Sequence, residues 1–334
     1  MEEKPEAILL CGGYGRSEGA WFEDNEGNAS PYNDYDLAVI TEKPLSRDVY
    51  VSLRKELASK VGINWVDIDC YTNAQLKRMY PTIHNVDLFE ASRVLWGNAN
   101  WAADYKRLNP ELIGNEDITR LYVTRMWTLL GSLTEDVKNL SIKEARFFKN
   151  QMAKAVLAGC DMRLVANHSY TTSYRERAKL TCTKYLVNSS DISLCEWAIN
   201  EKLNPSSKEM QDKEVKELYD KVYKFFIDSF QYAMGKQAID YLNPDRTLLH
   251  LFTHTKYLPL IVYGYFRGNK KIKKGYDVMR AQNYVFRAYS SSGNYNLMYL
   301  AKASSILMHY NFIDAPVQDW RKLCLIVANA RNNV

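Results

Sequence analysis

The apolar positions of the first hundred residues come in short runs, whereas those of the remaining chain follow a helical period. The segments "EAILLCGG" (6–13) and "DYDLAVIT" (34–41) are short apolar runs bounded by turn residues, which predicts two β-strands. "SRDVYVSLRKELASKVG" (46–62) has helical spacing between an initial serine and a final glycine, and "INWVDIDCYT" (63–72) alternates strictly. The order strand, loop, strand, helix, strand predicts a small mixed sheet with at least one helix packed on it.

From about Tyr105 onward the strand pattern fades and long amphipathic segments follow one another. Residues 144–168 carry apolar side chains four positions apart, which predicts a ridge along one long helix. The ridge consists of Phe148, Met152, Val156, Cys160 and Leu164. Residues 215–242 and 294–310 predict further helices, and the basic run 269–275 is predicted to be a solvated connection. The predicted fold class is α+β, with a sheet domain over 1–103 and an all-helical bundle over 104–334.

The composition of the chain predicts a cytoplasmic protein and argues against a membrane protein. The chain has 334 residues, of which 46% are hydrophobic and 25% charged, as is typical of a soluble protein that folds without staples. Its six cysteines show no paired spacing, so we expect reduced thiols in a cytoplasmic protein. The N-terminal run begins acidic, unlike a signal peptide, and no apolar segment approaches the roughly 18 residues of a membrane span. The net charge of +5 suits an anionic substrate but is too small to indicate nucleic acid.

Aspartates gather at the starts of two predicted strands. Asp34 and Asp36 point to the same strand face, about 7 Å apart along the chain, and they repel each other unless a cation lies between them. Mg²⁺ prefers such oxygen ligands. Asp67 or Asp69, which share one face of the third predicted strand, supplies a third carboxylate. Three carboxylates on adjacent strands predict a site for one or two metal ions in phosphoryl or nucleotidyl transfer.

A glycine turn ends the first predicted strand. Gly12 and Gly13 allow the backbone to turn tightly beside an anion and to present N–H groups to phosphate oxygens. Arg16 and Ser17 follow at a distance that suits a guanidinium fork and a hydroxyl donor. Taken singly, a Gly-Gly turn or an Asp-x-Asp pair is typical of ordinary loops and strand edges. Their combination, in this order, indicates a functional site.

These segments resemble a known signature. "GGYGRSEG" followed by "YNDYDLAVI" resembles the motif of the DNA polymerase beta-like nucleotidyltransferase superfamily, a glycine turn, a variable spacer and a flanked aspartate pair. The form "GGYGRSE" is similar to the turn of the uridylyltransferase that modifies the PII signalling protein. "DLFEASRVLWG" (Asp87 to Gly97) is similar to the helix that closes the catalytic domain in small bacterial members, including aminoglycoside nucleotidyltransferases. The resemblance covers residues 7–97, and the predicted bundle matches only in kind.

The resemblance implies a metal-dependent nucleotidyltransferase that moves a nucleoside monophosphate from an NTP, most simply ATP, to an acceptor hydroxyl. Asp34, Asp36 and Asp67 would be the catalytic carboxylates and would bind Mg²⁺ or Mn²⁺, with Asp67 preferred over Asp69 as third ligand and general base. The turn of Gly12 and Gly13, with Arg16 and Ser17, would orient the phosphates. Gly13 stands where the family usually has serine, so Ser17 is expected to take the hydroxyl role. The spacer of 20 residues is long, and its acidic middle (22–28) is expected to be a solvated loop.

The acceptor is the least determined part of the prediction. We favour a small hydroxylated or aminated molecule bound in a cleft between the two predicted domains, with segment 169–185 facing the metals through Tyr170, Tyr174, Arg175 and Lys179. An ordinary helix surface explains that segment nearly as well. A protein acceptor and an RNA 3′ end stay open, although the modest charge disfavours RNA, and a non-catalytic nucleotide-binding protein is a further alternative. His250 and His254 have helical spacing, which is more typical of packing than of a zinc site.

Overall fold

A computed structural model of the protein describes residues 4–23, 29–32, 34–63, 65–133, 139–243, 267–289 and 295–332. The chain is a mixed α+β structure that is 62% helical, with small sheets and many helices. It divides into two compact units: Met1–Gly114 with Asn167–Ser206, and Asn115–Ala166 with Ser207–Val334. Segment 167–206, which lies in the helical domain predicted from the sequence, is grouped with the sheet-containing unit. None of the helices in the described ranges is long and apolar enough to cross a membrane.

The strands and helices are named in chain order. They are β1 (Ala7–Leu10), α1 (Gly12–Gly15), β2 (Trp21–Glu23), β3 (Ala29–Pro31), β4 (Tyr35–Thr41), α2 (Arg47–Lys60), β5 (Val66–Thr72), α3 (Asn73–Leu76), α4 (Ile83–Ala91), β6 (Arg93–Gly97), α5 (Asn115–Leu130), β7 (Asn139–Leu140), α6 (Ile142–Ala166), α7 (Tyr174–Leu180), α8 (Ser189–Leu203), β8 (Met210–Gln211), α9 (Asp212–Met234), α10 (Ala238–Leu242), α11 (Lys270–Ala288), α12 (Leu297–His309) and α13 (Trp320–Asn332). Short 3-10 turns lie at Pro110–Leu112 and Gly235–Gln237, and a π-helical turn at Thr181–Tyr185.

The main sheet of the first unit has the strand order β5-β4-β1-β6. β4 and β5 are parallel, while β1 is antiparallel to both β4 and β6, so the predicted mixed sheet is confirmed. Alternate side chains of these strands enter two apolar clusters. Val66 and Ile68 pack with Ala58 of α2 on one face, whereas Leu9 and Ala38 belong to a second cluster with residues of α3 and α4. Asp36 and Asp67 are the second residues of β4 and β5, and Asp36 precedes Ala38 and Ile40 of the second cluster on the same strand face.

Three local predictions for the first unit differ from the structure. The third strand begins at Val66 rather than Ile63, which packs among the α2-side cluster instead. The spacer contains an antiparallel pair, β2 with β3, around residues 24–28, which lie outside the described residues. The helix predicted to reach Gly97 ends at Ala91, and Arg93–Gly97 forms the strand β6. Ser92 is extended at that point, and the following apolar residues gain backbone hydrogen bonds by pairing with β1.

The second unit is helical apart from the two-residue strands β7 and β8, within the described ranges. All five residues of the predicted ridge on α6 are 0–1% exposed, which confirms it as a core element. The helix predicted over 215–242 is broken at Gly235, whose φ is +53°, and the helix predicted over 294–310 is α12. Residues 269–275 are not a connection, since Asn269 caps the first turns of α11. His250 and His254 lie outside the described residues.

Candidate functional site

Three aspartate side chains converge at the beginning of the two parallel strands. Asp36 of β4 lies directly opposite Asp67 of β5 in the register, and Asp34 immediately precedes β4. One carboxylate oxygen of each residue lies within 4.8 Å of the others, the one such group of three found among the described residues. Parity explains the convergence, because paired residues on neighbouring strands share a sheet face and Asp34 is two positions from Asp36.

Asp69 lies outside this group of three. It is opposite Ala38 in the register, two positions further along β5, and its side chain is exposed. Its charge acts on Cys11, whose pKa is raised to about 12 by burial first and then by Asp36 and Asp69. Burial and Asp69 also raise the pKa of the Tyr71 phenol. Asp69 therefore adds negative charge beside the aspartate triad without joining it.

The donor set of the triad suits a hard divalent cation. Mg²⁺ holds oxygen ligands at about 2.0–2.1 Å, so two ligands on opposite sides of the ion are about 4 Å apart. The separations of up to 4.8 Å among Asp34, Asp36 and Asp67 need only small side-chain adjustments to reach that value. Three carboxylates at such distances repel one another, and a cation removes that repulsion. The residues present thus fit Mg²⁺ or Mn²⁺, and they contain no nitrogen or sulfur ligand that would favour zinc.

The glycine turn is built around Asp36. The N–H of Cys11 donates to the Asp36 carbonyl at 2.7 Å, which continues the pairing of β1 with β4 and places Gly12 against the Asp36 carboxylate. Gly12 has φ of +61°, and a Cβ there would lie 1.9 Å from Oδ2 of Asp36. Any side chain at this position would therefore displace the carboxylate. The N–H groups of Gly15 and Glu18 close the turn on the carbonyls of Cys11 and Gly13.

Arg16 and Ser17, the side chains predicted to bind phosphate, have partners in the structure that the sequence did not predict. The Arg16 guanidinium is buried and donates to Asp87 at 2.7 Å, and its Nε lies 3.8 Å from the Glu18 carboxylate. The predicted phosphate fork thus takes part in an internal ion pair. Ser17 adopts φ of +61°, and its hydroxyl accepts a hydrogen bond from the exposed guanidinium of Arg93 at the start of β6.

Segment 167–206 packs against this loop within the first unit. Glu18 accepts hydrogen bonds from the Ser173 hydroxyl and from the Tyr174 N–H, at the beginning of α7. The Tyr174 ring lies 4.3 Å from Arg16 and 4.5 Å from Arg177. Of the four residues predicted to line the acceptor site, Tyr170 and Tyr174 take part in this packing. The side chains of Arg175 and Lys179 are exposed.

Asp87 joins the two parts of this charged network. Its carboxylate accepts from Arg16 and from the Tyr170 hydroxyl, at 2.7 and 2.9 Å, and lies 3.8 Å from Arg177. Arg177 also donates to the Thr172 carbonyl. None of Glu18, Asp87 and Arg177 is predicted from the sequence as an ion-pair partner. Only Arg16 and Glu18 are neighbours in the chain, whereas Asp87 is 71 positions from Arg16 and Tyr174 is 156 positions from Glu18.

Two further residues surround the third carboxylate. The indole N–H of Trp65 donates to Oδ1 of Asp67 at 2.7 Å, and the Arg54 guanidinium lies 3.9 Å from the same oxygen. The sequence contained a signal for Trp65, since it precedes Asp67 by two positions on an alternating segment. It contained none for Arg54, which reaches the site from α2.

A cavity of about 410 Å³ lies beside α4 in the first unit. Val86 and Glu90 of α4, together with Leu108, Tyr170 and Thr171, contribute to its lining. Glu90 pairs there with Arg107 through two hydrogen bonds of 2.9 and 3.1 Å. The Tyr170 hydroxyl, which binds Asp87, connects this cavity to the charged network of the glycine loop.

Comparisons with protein-family models, with curated proteins and with solved structures find no match to this chain. The functional interpretation therefore rests on the geometry of the aspartate triad and the glycine turn, and on the motif resemblance of residues 7–97.

Proposed function

We propose that the protein is a metal-dependent nucleotidyltransferase that moves a nucleoside monophosphate from an NTP to the hydroxyl of a small acceptor. The carrying observation is the convergence of Asp34, Asp36 and Asp67 within 4.8 Å, beside a glycine that has no room for a side chain. An ordinary solvated strand edge needs neither the cross-strand register of Asp36 with Asp67 nor the close approach of Gly12 to the Asp36 carboxylate.

Each of the three aspartates has its own role in the proposed reaction. Asp34 and Asp36 hold the divalent cations, Mg²⁺ or Mn²⁺, that accompany the triphosphate of the donor, which we take to be ATP. When bound, these ions offset the negative charge of the phosphates and of the departing pyrophosphate. Asp67 would share the metal ion near the acceptor, and it takes the proton of the acceptor hydroxyl as that oxygen attacks the α-phosphorus. The bond from the α-phosphorus to the bridging oxygen then breaks, and pyrophosphate leaves.

We assign the orientation of the donor phosphates to the N–H groups of the glycine turn and to the side chains of Ser17 and Arg93. The first N–H groups of a helix have no intrahelical partner, which leaves those of Gly12 and Gly13 for phosphate oxygens. Arg93 is exposed and is linked to Ser17, whereas Arg16 is occupied by Asp87. We therefore propose that Arg93, and not Arg16, is the cationic side chain that binds the phosphates of the donor.

The acceptor is proposed to be a small hydroxylated or aminated molecule. In support, the first unit contains a cavity of about 410 Å³ whose lining includes the Glu90 carboxylate and the hydroxyls of Tyr170 and Thr171, and its size suits a small ligand. A protein acceptor, an RNA end and a non-catalytic nucleotide-binding role remain as alternatives. The expected cleft between the two domains stays a prediction.

The test compares Asp36→Asn with Asp48→Asn, an exposed aspartate in the first turn of α2. Each purified protein is incubated with Mg²⁺, α-labelled NTPs and a cell extract that contains protein, RNA and small molecules. We expect label transfer by the wild type and by Asp48→Asn, and none by Asp36→Asn, because the α-phosphorus reaction depends on the metal-binding carboxylate. Label in protein or RNA instead would assign those acceptor classes.

The same variants are compared in thermal unfolding with and without Mn²⁺. A ligand that binds only the folded protein raises its stability by mass action, so Mn²⁺ should raise the unfolding temperature of the wild type and not that of Asp36→Asn. Without metal, Asp36→Asn should be at least as stable as the wild type, because carboxylate repulsion is relieved. Undiminished transfer by Asp36→Asn would refute the proposed function.

A further inference from the structure

The carboxylate of Asp67 is held by groups from outside the aspartate triad. Oδ1 accepts the indole N–H of Trp65 at 2.7 Å, a short hydrogen bond to a charged acceptor. The Arg54 guanidinium is 3.9 Å from the same oxygen. A carboxylate has two oxygens and about four acceptor positions, so these contacts restrict its rotation without using up its capacity for a ligand.

Arg54 is itself fixed to the strand that carries Asp67. Its NH2 donates to the Ile68 carbonyl of β5 at 2.8 Å, and its guanidinium lies 5.8 Å from the Trp65 ring and 5.3 Å from the Tyr50 ring. The side chain is 22% exposed. Arg54 thus contacts the indole, the carboxylate and the strand backbone at once, and it links all three to helix α2.

Packing does not explain why Trp65 is placed here. The residue is 49% exposed, so much of its ring contributes no burial, whereas its one polar group is directed at Asp67. Trp96, at 53% exposure on the strand β6, shows how an exposed tryptophan in the same unit can be placed away from the triad. The two residues form a matched pair for experiment.

We infer that Trp65 and Arg54 are positioning residues that hold Asp67 in the orientation in which it faces Asp34 and Asp36. The inference rests on the proposed metal site. Groups that orient a metal ligand commonly change metal affinity or activity by about 10-fold to 100-fold when they are removed. Neither residue is assigned a contact with the substrate.

The test measures binding of Mn²⁺ alone to the purified full chain, with free Mn²⁺ followed by electron paramagnetic resonance. Trp65→Phe keeps an aromatic ring and removes the N–H, and Trp96→Phe is the control. We expect Trp65→Phe to weaken Mn²⁺ binding about tenfold, and Trp96→Phe to leave it unchanged. Arg54→Lys, which keeps the charge but loses the planar fork, should also weaken binding. If Arg54 contributed only its positive charge, Arg54→Lys would bind Mn²⁺ as tightly as the wild type.

Kinetics supply a second readout. If Trp65 acts by orienting a metal ligand, saturating Mn²⁺ should restore most of the transfer rate of Trp65→Phe, whereas it should not restore that of Asp67→Ala. Equal Mn²⁺ affinity in Trp65→Phe, Trp96→Phe and the wild type would overturn the inference and leave the proposed function standing. Failure of the wild type to bind Mn²⁺ would overturn both.

Discussion

The carboxylate of Glu18 accepts a hydrogen bond of 2.7 Å from the backbone N–H of Tyr174, 156 positions away in the sequence. A second oxygen of the same carboxylate accepts the Ser173 hydroxyl at 2.8 Å, and the residue is 8% exposed. Glu18 follows the glycine turn directly, so this contact connects the candidate active-site loop to segment 167–206. Its negative charge also lies at the N-terminal end of α7, where it is favourable.

Loss of the Glu18 charge should destabilise the protein. Glu18→Gln retains the shape of the side chain but replaces one acceptor oxygen with a donor, and buried hydrogen bonds to charged groups contribute roughly 1.5–3 kcal/mol. We expect a decrease of about 2 kcal/mol in the free energy of unfolding, measured by denaturant titration. Glu42→Gln, at an exposed position, should change it by less than about 0.5 kcal/mol. Equal stability of the two variants would contradict the role of Glu18.

Gly12 should be required for metal binding more than for stability. Gly12→Ala and Gly62→Ala share the cost of a positive φ, since their φ angles are +61° and +69°. A Cβ at residue 62 meets nothing within 4 Å, whereas at residue 12 it would displace the Asp36 carboxylate. Both variants should lose about 1 kcal/mol of unfolding free energy, and only Gly12→Ala should lose Mn²⁺ affinity. A similar Mn²⁺ affinity in both would show that the Asp36 carboxylate adjusts freely.

Cys182 should be the more reactive of two contrasting thiols. A side-chain hydrogen bond with Cys195 lowers the pKa of Cys182, whereas burial, and then Asp319, raises the pKa of Cys324 well above its ordinary value. Thiolate is the reactive form, so a lowered pKa means a larger thiolate fraction near neutral pH. Iodoacetamide labelling at a series of pH values, followed by mass spectrometry, should detect Cys182 first and at a lower pH than Cys324.

The reactivity of Cys182 should depend on its neighbour. Cys195→Ala removes the hydrogen-bonding thiol, so the pH at which Cys182 reacts at half its maximal rate should rise toward that of an ordinary cysteine. Cys324 is fully buried and should resist labelling in the folded protein of either form. Labelling of Cys324 at the same rate as Cys182 would indicate unfolding under the conditions used.

Local pattern was sufficient to predict the sheet, the α6 ridge and the aspartates. Strand alternation has a period of two, so spacing places Asp34 with Asp36 on one face of the second predicted strand, and Asp67 with Asp69 on one face of the third. The same alternation could not distinguish Asp67 from Asp69, because both lie on that face. The register of β4 with β5 places Asp67, and not Asp69, opposite Asp36, and register depends on contacts between strands.

Local pattern was misleading where the partner of a segment is distant. Residues 93–97 follow a helix directly, but the edge of β1 is available to them, and they become the strand β6. The Lys-rich run 269–275 has the composition of a connection, yet it forms the first turns of α11 after the Asn269 cap. In both cases long-range packing or a capping contact outweighed composition.

The sequence by itself determined the residue types of the candidate site: oxygen ligands at strand starts and a glycine where the chain approaches Asp36. Only the tertiary structure decided that Arg16 pairs with Asp87, that Glu18 binds the beginning of α7, and that Trp65 and Arg54 contact Asp67. Burial of a guanidinium or a carboxylate is costly without a partner. The identity of that partner depends on which segments the fold brings together, and for Arg16 and Glu18 those segments lie 71 and 156 positions away.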